Sequence, residues 1–66
     1  MRSNLRGLMK EKDVTVRWVS KQSGAAIQTV MNARDDKKIL SCSLGKLQAI
    51  AQALGCRVKD LFEEVD

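Results

Sequence analysis

Sixty-six residues make a single domain, 1–66, with one small core, a size that is marginal alone and that oligomerisation often stabilises. No apolar run approaches the ~20 residues of a membrane span, and Arg2, Arg6 and Lys10 interrupt any signal-like stretch, so a cytoplasmic protein is expected. The net charge of +4 is uneven: residues 1–58 hold eleven Lys/Arg and four Asp/Glu, net +7, while residues 59–66 hold one Lys and four acids, net −3, so the basic body suits a polyanion and the tail points away from it.

That charge is not specific, because small proteins with no nucleic-acid partner reach it too. Cys42 and Cys56 lie fourteen apart with no His anywhere. They are too few for a structural zinc site and read as free thiols in a reducing compartment. No metal, cofactor or small-molecule substrate is expected. An enzyme is a poor reading: there is no His, no paired carboxylates in a cleft and no Gly-rich phosphate loop.

In chain order, Leu5, Leu8, Met9 and Lys12 keep the i, i+3, i+4 spacing of an amphipathic helix, with Ser3 or Asn4 as its cap and a stop near Lys12 and Asp13. A second helix is predicted over residues 16–23. Thr15 caps it, and Gly24 follows it where a left-handed residue is needed. A third is predicted over residues 27–34. Val19, Ser20, Val30 and Ala33 face inward across this pair, while Ile27, Gln28, Met31 and Asn32 fall on the other side. A short helix held out on a compact scaffold has the shape that enters a major groove.

Residues 35–43, DDKKILSCS, have no clear period and read as a polar turn and loop, with Ile39 and Leu40 tucking back onto the body. Ser43 then caps the strongest helix, in which Leu44, Leu47, Ile50, Ala51 and Leu54 repeat at 3.6 residues and Gly55 supplies the stop. A last short helix is predicted over residues 59–64, with Leu61 and Phe62 inward. The sum is an all-α bundle of four to five short helices with no sheet.

At this point the sequence resembles the lambda-repressor-like helix-turn-helix family, the Cro and repressor proteins of phages and their bacterial relatives. NLRGLMKEKDVTV is similar to the family's first helix and the approach to its second. VSKQSGAAIQTV resembles the turn signature, and LGKLQAIAQALGCRVKDLF resembles the ending L-x-x-L-x-x-I-A-x-A-L-G-V-x-x-(D/E)-L-F. The resemblance covers almost the whole chain and suits a stand-alone member. It implies a five-helix bundle whose third helix reads the major groove of double-stranded DNA as a two-fold homodimer.

Carried over by position, the base-reading places fall on Ala26, Ile27, Gln28 and Asn32, with Met31 beside them. Phosphate contacts fall at Val16 and Arg17 and at Lys37 and Lys38. Thr15, Lys21 and Arg34 complete the phosphate-facing set, and Arg6 and Lys10 are weaker candidates. Gln28 carries the donor and acceptor that match adenine N6 and N7, Asn32 can do the same one turn on, and Ile27 can pack on a thymine methyl. The bland alternatives stand beside these. Gln28 and Asn32 can form a solvated polar face, and Ile27 and Met31 can belong to core or interface.

Several positions depart from the family pattern. Val16 replaces a Gln that bonds phosphate. Ala26 replaces the Ser/Thr cap of the reading helix, a loss of about 1 kcal/mol. Asp36 stands where Gly is common, and Asp35 and Asp36 together put two acids near the DNA backbone. Trp18 reads as mostly outward. It can pack at a groove-facing edge, cover a partner's surface, or fold over its own domain. The leading function is a sequence-specific DNA-binding transcriptional regulator that represses by occlusion. The alternative is an antitoxin-like interaction subunit on the same fold.

Overall fold

Local hydrogen-bond chemistry sets the helix boundaries. The computed structural model of the protein describes residues 1–64 and forms β1 (Arg2–Ser3), α1 (Leu5–Lys12), α2 (Val16–Ser23), α3 (Ile27–Ala33), α4 (Leu44–Leu54) and β2 (Phe62–Glu63), with 3-10 turns at Lys38–Ser41 and Val58–Asp60. Thr15 and Ser43 are extended residues whose hydroxyls accept from the N–H of Trp18 (3.1 Å) and Lys46 (3.3 Å), each satisfying one orphan donor of a first turn. Gly24 and Gly55 end α2 and α4 at φ of 76° and 71°, where a Cβ would be strained. Asp13 ends α1 in the same left-handed region, φ 56°, a conformation that Asp tolerates better than most residues.

Of the two residues expected to cap α1, Ser3 supplies the bond. Asn4 holds the N-cap position, but its side chain makes no cap bond; Ser3 Oγ instead accepts from the Leu5 N–H at 3.3 Å.

Burial follows the predicted period. Leu5, Met9, Val19, Val30, Ala33, Ile39, Leu47, Ile50, Ala51, Leu54 and Leu61 form one core, with Leu8, Val14, Val16 and Phe62 packed partly against it. Each large side chain taken fully from water contributes roughly 1.5–3 kcal/mol before entropy is charged against it. Two expected core residues lie outside. Leu40 is 66% and Leu44 62% exposed. Leu40 leaves the core because the 3-10 turn brings only Ile39 round to the interior, and Leu44 lies a full turn before the first buried residue of α4.

The C-terminal segment also differs from the prediction. Residues 59–64 are not a helix. Val58–Asp60 make a single 3-10 turn, held by Asp60 Oδ2 accepting from the Arg57 N–H at 3.0 Å, and Phe62–Glu63 form a strand antiparallel to Arg2–Ser3. The register pairs Arg2 with Glu63 and Ser3 with Phe62. The bundle therefore carries a two-stranded sheet that ties the described ends of the chain together.

The tie reaches α3. Ser3 Oγ donates to the Ala33 carbonyl and the Ser3 N–H donates to Asp36 Oδ1 at 2.8 Å. Asn4 N–H donates to the Leu61 carbonyl at 2.8 Å. One short segment thus grips the last turn of α3 and the segment leading into β2.

Candidate nucleic-acid interface

Two serines fix the turn between α2 and α3. Ser20 Oγ donates to the Ala25 carbonyl, and Ser23 Oγ accepts from the Ala25 N–H at 3.1 Å. With Gly24 left-handed between Ser23 and Ala25, these three adjacent residues set the direction of α3 relative to α2. Ala26 starts α3 in an extended conformation with no side-chain cap. What anchors α3 is its inner face, where Val30 and Ala33 are buried.

The outer face of α3 carries the predicted readers. Ala26, Ile27, Gln28 and Met31 are exposed, Ile27 and Met31 by 47% and 49%. Asn32 is half-buried. Gln28 Nε2 donates to Asn32 Oδ1 at 3.0 Å, so the two amides are one bonded pair rather than two independent groups. Trp18 on α2 is 40% exposed, placing it between the outward and the self-packed readings.

The expected phosphate set divides by element. Thr15 is exposed and spends its hydroxyl on the α2 cap, leaving its own contact to a phosphate dependent on the hydroxyl proton. Arg17 and Lys21 are exposed on α2, and Lys37 and Lys38 are exposed in the loop after α3. Val16 is half-buried against the core. Among the described residues one ion pair forms, Arg2 with Glu63 at 4.0 Å, so the cations of the helix-turn-helix and loop have no carboxylate within that distance. Their field is left for a partner. Arg34 is half-buried, with its Nε enclosed and lacking a hydrogen-bond partner, and it shares an open cleft with Ser3, Arg6, Asp35, Asp36 and Lys37.

Asp35 and Asp36 read in the sequence as charges opposed to DNA. Both are spent on backbone. Asp35 Oδ1 accepts from the N–H groups of Lys37 (2.8 Å) and Lys38 (2.9 Å) and closes the turn after α3. Those bonds, from Lys38 first and then Lys37, hold its carboxyl below the ordinary range, with the charges of Lys38 and Arg6 adding to the effect. Asp36 receives the Ser3 N–H. The Asp-Asp pair in the sequence was the available signal, since Asp at the start of a turn commonly accepts from the residues that follow it.

The thiols take no part in this surface chemistry. Cys42 and Cys56 are free and half-buried, and burial pushes both above the usual thiol range.

A short capped helix, a serine-stapled turn and an exposed second helix flanked by unpaired cations are the parts of a helix-turn-helix reader. The Cro/C1-type HTH DNA-binding domain matches residues 4–66. The chain belongs to the Cro/C1-type helix-turn-helix family. It is a DNA-binding regulator of that type, and its partner is double-stranded DNA. Comparison with curated proteins and with solved structures returned no match. The Cro/C1-type domain here occupies nearly the whole chain, and no helix among the described residues is long and apolar enough to cross a membrane.

Proposed function

We propose that this Cro/C1-type protein is a repressor that occupies an operator as a homodimer, with α3 of each copy in the major groove. One observation carries the reading. α3 presents Ile27, Gln28 and Met31 outward from a face whose opposite side is locked into the core by Val30 and Ala33. A rigid helix with one amide and two apolar side chains toward the partner reads an adenine edge and neighbouring thymine methyls. Ala26, at the start of α3, completes the reading face. Thr15, Arg17, Lys21, Arg34, Lys37 and Lys38 take the phosphates on either side. A protein seated in the major groove covers the site it reads, so repression acts by occlusion of a promoter.

Selection of bound duplexes from a random pool tests this directly. An A·T-leaning half-site is expected to emerge, repeated about a two-fold axis. Gln28→Ala is expected to lose roughly 5- to 100-fold discrimination at one base pair, the equivalent of one bidentate contact, with nonspecific affinity unchanged. Equal losses on every duplex would remove Gln28 from the readers.

An apolar surface supports a site for the second copy. Met1, Leu40 and Leu44 are exposed around a groove of about 210 Å³ completed by Ile39, Cys42, Leu47 and Phe62. None of the lining side chains is charged, on a chain of net charge +4. Two copies approaching through such a face bring mainly apolar side chains together, and the protruding leucines of one fit the groove of the other. The sequence offers the last segment, Leu61 to Val65, and the exposed ends of α4 as dimer contacts; the start of α4 and Phe62 belong to this surface, Leu61 is buried in the core, and Val65 lies outside the described residues. Leu44→Asp is expected to give a monomer by sedimentation and to weaken binding to a two-fold site on the order of 10- to 100-fold, with half-site affinity unchanged. A dimer that persists in Leu44→Asp would place the interface elsewhere.

The antitoxin-like reading draws support from the exposed Trp18 on α2 and from the uncapped start of α3. A gel shift on random duplexes at two salt concentrations separates the two, because an interaction subunit shows no salt-dependent shift.

A further inference from the structure

The bond between Gln28 and Asn32 changes what the second amide does. Residues four apart on a helix are surface neighbours, and Gln28 Nε2 donates to Asn32 Oδ1 at 3.0 Å. A primary amide has two N–H donors and one oxygen. After this bond Gln28 keeps one N–H and its whole Oε1. Those are the donor and the acceptor that a bidentate contact to adenine N7 and N6 requires. Asn32 has its oxygen engaged, is one methylene shorter, and is half-buried where Gln28 is exposed. It reaches less far and has less to offer a base.

We infer that Asn32 is a positioning residue for Gln28 and not a second reader. It holds the Gln28 amide in one orientation, with Nε2 toward the C-terminal end of α3. The side chain then arrives at the groove with its donor and acceptor already ordered, so less rotamer freedom is lost on binding. The sense of the bond sets the order in which donor and acceptor meet the base edge. The inference rests on Gln28 reading a base, as proposed above.

The experiment is a double-mutant cycle on the selected duplex and its single-base-pair variants. Asn32→Ala is expected to lower discrimination about 2- to 10-fold at the same base pair that Gln28→Ala relaxes, and at no other. The double variant is expected to be no worse at that base pair than Gln28→Ala alone. Asn32→Asp keeps an acceptor for Nε2, so discrimination at that base pair is expected to stay within about twofold of the parent, while its added charge weakens all duplexes alike. Thermal melts of the variants confirm that each is folded. Relaxation by Asn32→Ala at a different base pair, additive losses in the double variant, or unchanged preferences throughout would each overturn the positioning role. A Gln28→Ala variant that relaxes no particular base pair is a separate result, and it defeats the reading on which the inference rests.

Discussion

Leu61→Ala is expected to lower the melting temperature by more than about 10 °C, followed by circular dichroism. Leu61 has no accessible surface. It lies between the Val58–Asp60 turn and β2, donates its N–H to the Val58 carbonyl at 2.9 Å and receives the Asn4 N–H at 2.8 Å. Truncating a buried Leu to Ala costs roughly 2–5 kcal/mol. A chain of this length has a total stability of roughly 3–10 kcal/mol, so the loss is a large share of the whole. Each kcal/mol moves the midpoint of so small a domain by roughly 4–8 °C. A shift below about 3 °C would mean that the C-terminal segment melts independently of the helices.

The second large effect is electrostatic. Replacing Lys37 and Lys38 together by Ala is expected to weaken every duplex alike, by on the order of 30-fold near 0.15 M salt, and to flatten the salt slope by about two units. Both side chains are exposed and carry no carboxylate partner among the described residues. Their backbone N–H groups, not their ammonium groups, bind Asp35, so the turn survives the substitution. Titration at four salt concentrations gives the slope. An unchanged slope would take both lysines off the phosphate path, and a loss confined to some sequences would make them readers.

Helix positions were legible because their determinants are local. Thr15, Gly24, Ser43 and Gly55 act through atoms within four residues, and the 3.6-residue period separates Val30 and Ala33 from Gln28 and Met31 without knowledge of the rest of the chain. The sheet was not legible. Its strands are two residues long and lie sixty positions apart, too short for alternation to register and too distant for a turn to announce them. Leu61 and Phe62 were assigned inward and helical. Leu61 is buried and Phe62 half-buried, on extended backbone instead.

The site was legible in the same proportion. Which residues α3 turns outward followed from spacing. That Gln28 and Asn32 bond to each other, and that Asp36 serves Ser3 across 33 residues, follows from side-chain directions that spacing does not specify. Leu40 was misplaced because a 3-10 turn of four residues has room for one inward side chain, and Ile39 takes it.

The grip of Ser3 on Ala33 and Asp36 has a practical meaning for anyone handling the protein. A two-residue ladder is marginal by itself and opens before the helices do. Any peptide fused ahead of Met1 tugs on that ladder, and through it on the last turn of α3. An affinity tag at the front of the chain therefore bears on the end of α3, and its removal before binding measurements matters more here than in a protein whose first residues hang loose.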